Sequence, residues 1–587
     1  MPRILDSPGF QQQLETIAQQ TGQSTEAVRA EARRNLKEMR GKRNGLAVGA
    51  FAWLSHFICQ RGYSPDYFFD TAELDRVREL AANKCVVFLV SHKTYLDFFV
   101  LYDFLYRHGI STPYVFGGIN MAFSGFGPFA RRAGGIFIRR TFTDKPIYKA
   151  VLNRYIQYLV GQGCSFSWAI EGTRSRTGKL VQPKIGLLKY VADAARPLGN
   201  DAVTYIPVSV SYDQIPDVAD MTAQEAGASK QPESLGWFVR YIRRLGSRFG
   251  NIYIRFGDAI EISDTPDAPD LSASQKLVAP EIIEVQKLAF EVCHLINQVT
   301  PATVTSLVLM SLLCRTTAKP QTLRADVHTL QSYLAKRQSA SLFASPNRPI
   351  DGDFDLALAA LLDNGIVQQD SDAGYCSIVP ERFLVALYYS NMAVHHFVIA
   401  AFTELGLLNV VHADKGPGEH AFREEIRRLR DLFMYEFFFS RTDEFRQQLV
   451  NELHYLGAPV KDLDQQDRQS AIMLLRRQPL LVAYGALAPF INAYHVVANC
   501  LLQDGREPVT DKTEFIARCQ AESRISGAGY PGFASKALLT NGLLLADNRG
   551  LLGGGNDVAG KRQQFANELW FMAEQLYEIR GMTCLLY

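Results

Sequence analysis

His92 and Asp97 are the first residues whose types and spacing could do chemistry. The stretch "VFLVSHKTYLDFFVLY" (87–102) is an apolar run, a histidine, four residues, an aspartate and a second apolar run. A histidine just past a buried strand stands where α/β folds place their sites. An aspartate in the first turn of the next helix is favoured by the helix dipole. From there it can reach back to one imidazole nitrogen, which fixes the tautomer and leaves the other nitrogen as a base. Taken alone the pair is weak evidence, because a capping aspartate beside a satisfied histidine has the same spacing.

Three more stretches join it. "AGGIFIRRTF" (133–142) is a Gly-Gly turn and a short apolar run ending in Arg139 and Arg140. The guanidinium fork matches phosphate oxygens, and the alternative is a strand end solvated by two charges. "WAIEGTRSRTGKLVQPKIG" (168–186) delivers Glu171 from a strand into a Gly172–Thr173 turn, and Arg174, Ser175, Arg176, Lys179 and Lys184 follow. Exposed amides, a hydroxyl and several cations make an anion cradle. "YIPVSVSYD" (205–213) carries Pro207 inside an apolar run, which predicts a strand edge or a bend in the backbone beside the site. There is no Gly-x-Ser-x-Gly, P-loop, Gly-x-Gly-x-x-Gly or metal-ligand cluster.

The elements that must hold these residues alternate. Short β-branched runs at 85–91, 112–118, 135–140, 164–171, 203–212 and 252–260 are separated by helical patterns near 97–108, 145–161 and 184–195. Such alternation predicts an α/β layer with a mostly parallel, buried sheet flanked by helices. A helix is predicted over 24–41, capped by Ser24 or Thr25. The polar stretch 214–236 reads as a loop over the site, and 263–275 as the exit from the α/β domain. Beyond about 280 the pattern is helical, with a small winged or helical insert near 319–380. Three parts are therefore expected: an N-terminal helical segment (1–69), an α/β domain (70–275) and a helical C-terminal domain (276–587).

A net charge of +2 over 587 residues argues against a broad nucleic-acid footprint. The charge is uneven, because residues 131–190 hold twelve Lys and Arg against two acids, Asp144 and Glu171. That excess suits an anionic ligand, a phosphate or an acidic membrane surface, or else it is a solvated basic face. Nine scattered cysteines without Cys-x-x-Cys predict a reducing compartment. The N-terminus lacks the layout of a signal peptide. "LAVGAFAWLSHFIC" (46–59) is shorter than the ~20 apolar residues of a spanning helix. With its basic flank and Trp53 it reads either as a helix lying in the membrane interface or as a core helix.

His-x4-Asp, Gly-Gly-Ile-Phe-Ile-Arg-Arg, Glu-Gly-Thr-Arg-Ser-Arg and the Ile-Pro-Val strand, in this order, resemble the four blocks of the glycerolipid acyltransferase superfamily. "EGTRSRTGKLVQPKIGLL" is similar to the branch of glycerol-3-phosphate and dihydroxyacetone-phosphate acyltransferases. "TPATVTSLVLMSLL" (300–313), "ALYYSNMAVHHF" (386–397), "LRDLFMYEFFF" (429–439) and "PFINAYHVVANCLL" (489–502) resemble its C-terminal region. The resemblance implies an α/β acyltransferase core with helical additions, His92 as general base and Asp97 as its partner. It implies that Arg139, Glu171, Gly172, Thr173, Arg174, Ser175 and Arg176 bind the phosphorylated acceptor, with Lys184 nearby and Pro207 marking the fourth block. The expected departure is at the N-terminus, where most of the helical region of the long bacterial enzymes is missing.

The implied reaction is transfer of a fatty acyl group from a thioester to the sn-1 hydroxyl of glycerol 3-phosphate. The thioester is acyl-CoA or acyl carrier protein, and no cofactor is needed. Dihydroxyacetone phosphate is the near rival as acceptor, and a non-catalytic lipid-binding scaffold of the same fold is the distant one. A lipidic product implies peripheral or monotopic attachment at the cytoplasmic face of a membrane, with the bacterial inner membrane the expected one.

Overall fold

In the computed structural model the described residues are 2–41, 43–122, 126–139, 144–199, 202–229, 235–246, 249–262, 280–337, 350–412, 418–458, 463, 468–525 and 535–584. They form two compact units. The first comprises 1–174, 182–212 and 231–300, and the second 175–181, 213–230 and 301–587. Three parts are expected from the sequence. The helices Pro8–Thr21 and Thr25–Met39 instead belong to the first unit, because they pack on the helix Pro146–Val160. The expected exit at 263–275 lies outside the described residues.

The first unit is built on seven strands: β1 (Tyr67–Phe68), β2 (Cys85–Val90), β3 (Tyr114–Gly118), β4 (Gly135–Ile138), β5 (Phe166–Ala169), β6 (Val203–Tyr212) and β7 (Ile252–Phe256). Their order is β1-β7-β6-β2-β5-β3-β4, parallel throughout except between β6 and β7. All residues of β2 and β6 are buried; β2 reads as an unbroken apolar run, whereas β6 carries the buried polar residues Thr204, Ser209 and Ser211 among its apolar ones. The parallel trio β6-β2-β5 matters most for the site. His92 follows β2 by two residues, Glu171 follows β5 by two, and Tyr212 ends β6, so all three emerge side by side at one edge.

Pro207 departs from its expectation. It lies inside β6, flanked on both sides, opposite Leu89 of β2. The irregularity is in the neighbouring strand instead. Val208 pairs with Phe256 but Tyr205 bridges Ile260, so three steps along β6 match four along the segment after β7. This is a bulge, and it removes the need for a Pro207 N–H. Gly257 accepts the close approach, since a Cβ there would lie 3.1 Å from Pro207 Cβ.

The second unit is mainly helical and includes Val304–Arg315, Phe383–Asn391, Val398–His412, Ala483–Gln503 and Asn556–Cys584. Its strands fall where the sequence points to a winged or helical insert. The insert region contributes a three-stranded antiparallel sheet of β8 (Thr317–Ala318), β9 (Val367–Gln369) and β10 (Cys376–Ile378), in order β8-β10-β9. These strands are two or three residues long, too short for periodicity to reveal. The stretch expected as a loop also carries helix, at Val218–Glu225 and from Leu235 to Arg244.

Buried polar groups organise this unit. Glu404 accepts the backbone N–H groups of Val482 and Ala483 at 2.7–3.0 Å and so caps the helix Ala483–Gln503. Burial pushes its carboxyl from 4.5 up to about 8, against those N–H groups, which lower it. Between the two values the folded chain holds a proton that the unfolded chain has lost, so stability falls as pH rises through that window. Glu404→Gln removes the titration. The fall in denaturation midpoint between pH 5 and pH 8 is expected to be shallower in the variant, and equal slopes would contradict this assignment.

Candidate active site

The turn after β2 is built around Asp97. The carboxylate is fully buried, and its Oδ2 accepts the backbone N–H of Lys93 at 2.7 Å and of Thr94 at 3.0 Å. The same oxygen stands 2.9 Å from His92 Nδ1. Because the carboxylate already accepts two amides, Nδ1 is the donor in this pair, and Nε2 is left for a substrate. The imidazole is 16% exposed, so the dyad opens on one side only. Phe98 packs edge-on to the imidazole at 5.4 Å between ring centres. The helix Asp97–Arg107 begins at the aspartate itself.

Glu171 lies beneath the same turn. It is 1% exposed and accepts the backbone N–H of His92 at 2.7 Å. It thereby braces the turn that carries His92. Lys93, buried between the dyad and this brace, is a residue that sequence reasoning missed. Burial lowers its ammonium from the usual lysine range, while the carboxylates of Glu171 and Asp97 raise it. The turn thus holds a buried amine within electrostatic reach of two buried carboxylates. The signal was available, as a lysine directly beside the histidine, but its burial was not.

Arg174 meets the same turn through Tyr95. Its guanidinium lies 3.7 Å from the centre of the Tyr95 ring, and Nη2 donates to the Tyr95 hydroxyl at 2.9 Å. Tyr95 in turn meets Trp237 at 4.5 Å, and Tyr241 reaches Thr94 Oγ1 at 3.0 Å. The helix starting at Leu235, just beyond most of the polar stretch 214–236, therefore supplies an aromatic wall beside the turn. Gly172 has a φ of +66°, and a Cβ there would lie 2.8 Å from Lys184 Cγ. Only glycine fits that turn, and the Lys184 stem lies across it. Thr173 and Lys184 are exposed.

Arg139 directly follows β4, which lies three strand spacings from β2, or about 14 Å at ~4.8 Å each. Its Nε and Nη2 donate to the Glu38 carboxylate at 2.9 and 2.7 Å, and its guanidinium lies 4.8 Å from the Tyr148 ring centre. Arg140 lies outside the described residues. Pro207, three residues before the edge in register, is buried in the sheet.

Ser175, Arg176 and Lys179 belong to the second unit. Ser175 Oγ donates to the Lys179 carbonyl at 2.7 Å and accepts the Gly178 N–H at 3.0 Å, closing the loop on itself. Lys179 Nζ is buried against Glu436 at 2.6 Å. That lysine is a structural anchor, not part of an open cradle. Arg176 lies within electrostatic reach of Glu225, whose carboxyl is raised by burial and lowered by the Ala537 N–H and Arg176.

Residues 221–554 match the family described as the glycerol-3-phosphate acyltransferase C-terminal region, and residues 72–211 match the acyltransferase family. The provisionally named acyltransferase plsB1 of Mycobacterium bovis is 33% identical over 97% of this chain and 92% of its own. The same figures hold for plsB1 of Mycobacterium tuberculosis. The chain belongs to the glycerol-3-phosphate acyltransferase family. It is an acyltransferase, with a mixed, mostly parallel sheet flanked by helices and a helical C-terminal region. Among solved structures, the 1-acyl-sn-glycerophosphate (LPA) acyltransferase PlsC of Thermotoga maritima is 15% identical. It covers 46% of this chain and 78% of its own, with a TM-score of 0.24, too low to carry an argument.

In this acyltransferase one helix among those described, Ala483–Gln503, is long and apolar enough to cross a membrane, and 78% of its apolar window is buried inside the fold. The helix Gly45–Gln60 is shorter and leaves Leu46 90%, Trp53 68% and Phe57 42% exposed.

Proposed function

We propose that this acyltransferase is a glycerol-3-phosphate 1-O-acyltransferase that makes lysophosphatidate, the first step of phospholipid synthesis. The observation that carries the reading is the buried Asp97 carboxylate holding His92 Nδ1 at 2.9 Å, with Nε2 left to act as a base. Nε2 takes the proton of the sn-1 hydroxyl while that oxygen attacks the thioester carbonyl. The C–S bond then breaks, and the imidazolium returns the proton to the leaving thiolate. No metal or cofactor takes part. Arg174, Arg139 and Lys184 hold the phosphate of the acceptor, which places the hydroxyl beside the base; such positioning supplies several kcal/mol of a barrier. The donor is a fatty acyl thioester of CoA or of acyl carrier protein.

Attachment to the cytoplasmic face of the membrane belongs to the same reading. Trp53 and Phe57 stack at 5.8 Å on the exposed face of the helix Gly45–Gln60, and Arg61 sits over Phe57 at 5.6 Å. Aromatics with an adjacent cation suit an anionic lipid interface, so docking is peripheral rather than spanning.

The test is thioester release by the purified chain with palmitoyl-CoA, and with palmitoyl-acyl carrier protein in parallel. The acceptors are glycerol 3-phosphate, dihydroxyacetone phosphate and lysophosphatidate. Release with glycerol 3-phosphate well above the other two is expected. A preference for dihydroxyacetone phosphate, or no release with either donor, would overturn the reading. Arg139→Ala is expected to raise the KM for glycerol 3-phosphate by roughly tenfold or more, the usual size for a hydrogen bond to a charged group, with kcat within about threefold. An unchanged KM would remove Arg139 from the phosphate site.

A further inference from the structure

Tyr212 ends β6, the strand beside β2, and its ring is fully buried. The hydroxyl donates to Asp97 Oδ1 at 2.7 Å. The bonds of the carboxylate are thereby divided. Oδ2 takes His92 Nδ1 and the amides of Lys93 and Thr94, while Oδ1 takes Tyr212. Tyr212 is thus a partner of Oδ1 that comes from outside the turn.

The amides tie the carboxylate only to its own turn, because both come from the turn that carries His92 and both meet one oxygen. A donor on the other oxygen, from a different strand, anchors the carboxylate to the sheet as well. Tyr212 is itself held by the sheet, with its backbone opposite Ile252 of β7 and its ring 5.5 Å from that of Tyr63. Its phenol is pushed well above the usual tyrosine range, first by burial and then by the Asp97 charge, so it remains a donor. The other charged groups facing this carboxylate are Lys93, which burial lowers, and Glu171 beneath the same turn.

We propose that Tyr212 is a positioning residue of the reaction. Its hydroxyl locks the Asp97 carboxylate in the one orientation that presents Oδ2 to His92 Nδ1, so that a Tyr–Asp–His relay spanning β6, the Asp97 helix and the β2 turn aims the base. The proposal rests on the reading of His92 as the base. Tyr212 touches neither substrate nor the reacting atoms, so its loss acts on turnover and not on binding.

The experiment compares wild type, Tyr212→Phe and His92→Ala with palmitoyl-CoA and glycerol 3-phosphate, as pH–rate profiles together with melting temperatures. For Tyr212→Phe, kcat is expected to fall roughly tenfold to a hundredfold, the scale of one hydrogen bond to a charged group. Both KM values should stay within about twofold. The acid limb of the kcat/KM profile should move to higher pH, since a carboxylate relieved of one donor holds the imidazolium more strongly. A purely structural role would lower the whole profile without moving it, and in proportion to any loss of folded protein. Wild-type kcat in Tyr212→Phe, or a lowered profile with an unmoved limb, would overturn the proposal. Activity surviving in His92→Ala would instead overturn the reading beneath it, so the two failures are distinguishable.

Discussion

His92→Ala is expected to lower kcat by about 10²–10⁴, the range that a positioned general base contributes. The affinity for glycerol 3-phosphate should stay within roughly threefold of wild type. The split follows from the geometry. His92 is tied to Asp97 and, through its backbone, to Glu171, whereas the cations assigned to the phosphate sit on other turns. The turn also survives the change. Its bonds run from the amides of His92, Lys93 and Thr94 to the two carboxylates, and alanine keeps all three amides. Calorimetric titration of glycerol 3-phosphate into the variant, beside its turnover, checks both halves. Binding lost together with turnover would mean that His92 holds the acceptor rather than activating it.

Arg562→Met is the variant expected to cost the most stability. The guanidinium is 1% exposed and donates to five carbonyl oxygens: Leu551 at 2.9 Å, Leu501 at 3.3 Å, Gly505 at 3.0 Å, Glu507 at 2.9 Å and Gly553 at 3.0 Å. It gathers the end of the helix Ala483–Gln503 and the Gly-rich run 551–555 around one cation. Methionine fills much of the volume but leaves these acceptors without a donor, and each buried orphan costs about 1–3 kcal/mol. Partial relaxation toward water keeps the total near 3–5 kcal/mol, the scale found when one member of a buried charged network is removed. Denaturant unfolding followed by intrinsic fluorescence measures it. A midpoint shift worth less than about 1 kcal/mol would mean that the carbonyls find other partners.

The sheet was legible because buried parallel strands leave an unmistakable trace. β2 is an unbroken apolar run and β6 a long run rich in valine, and the turn after β2 carries the His92–Asp97 pair. The His92–Asp97 pair was legible for a related reason, since both partners lie within one turn and sequence distance stands in for spatial distance. What sequence hid is what joins distant segments. Nothing at 212 announces that its hydroxyl meets residue 97, and nothing at 38 announces the bidentate pair with Arg139. Cation counting also misled at one place. Lys179 belongs to the basic cluster by sequence, yet its ammonium is buried against Glu436 and serves the fold. Pro207 looked like a defect in its own strand, whereas the neighbouring segment bulges to receive it.

In the proposed reaction a histidine held by Asp97 activates the sn-1 hydroxyl of glycerol 3-phosphate for acyl transfer. The most direct test is the identity of the product. Wild type and His92→Ala would be incubated side by side with palmitoyl-CoA and glycerol 3-phosphate, and the lipid product identified by mass spectrometry with positional analysis of the acyl chain. Wild type is expected to yield 1-palmitoyl-lysophosphatidate and the variant only a trace. Acylation at sn-2, or equal product from the two proteins, would contradict this reaction.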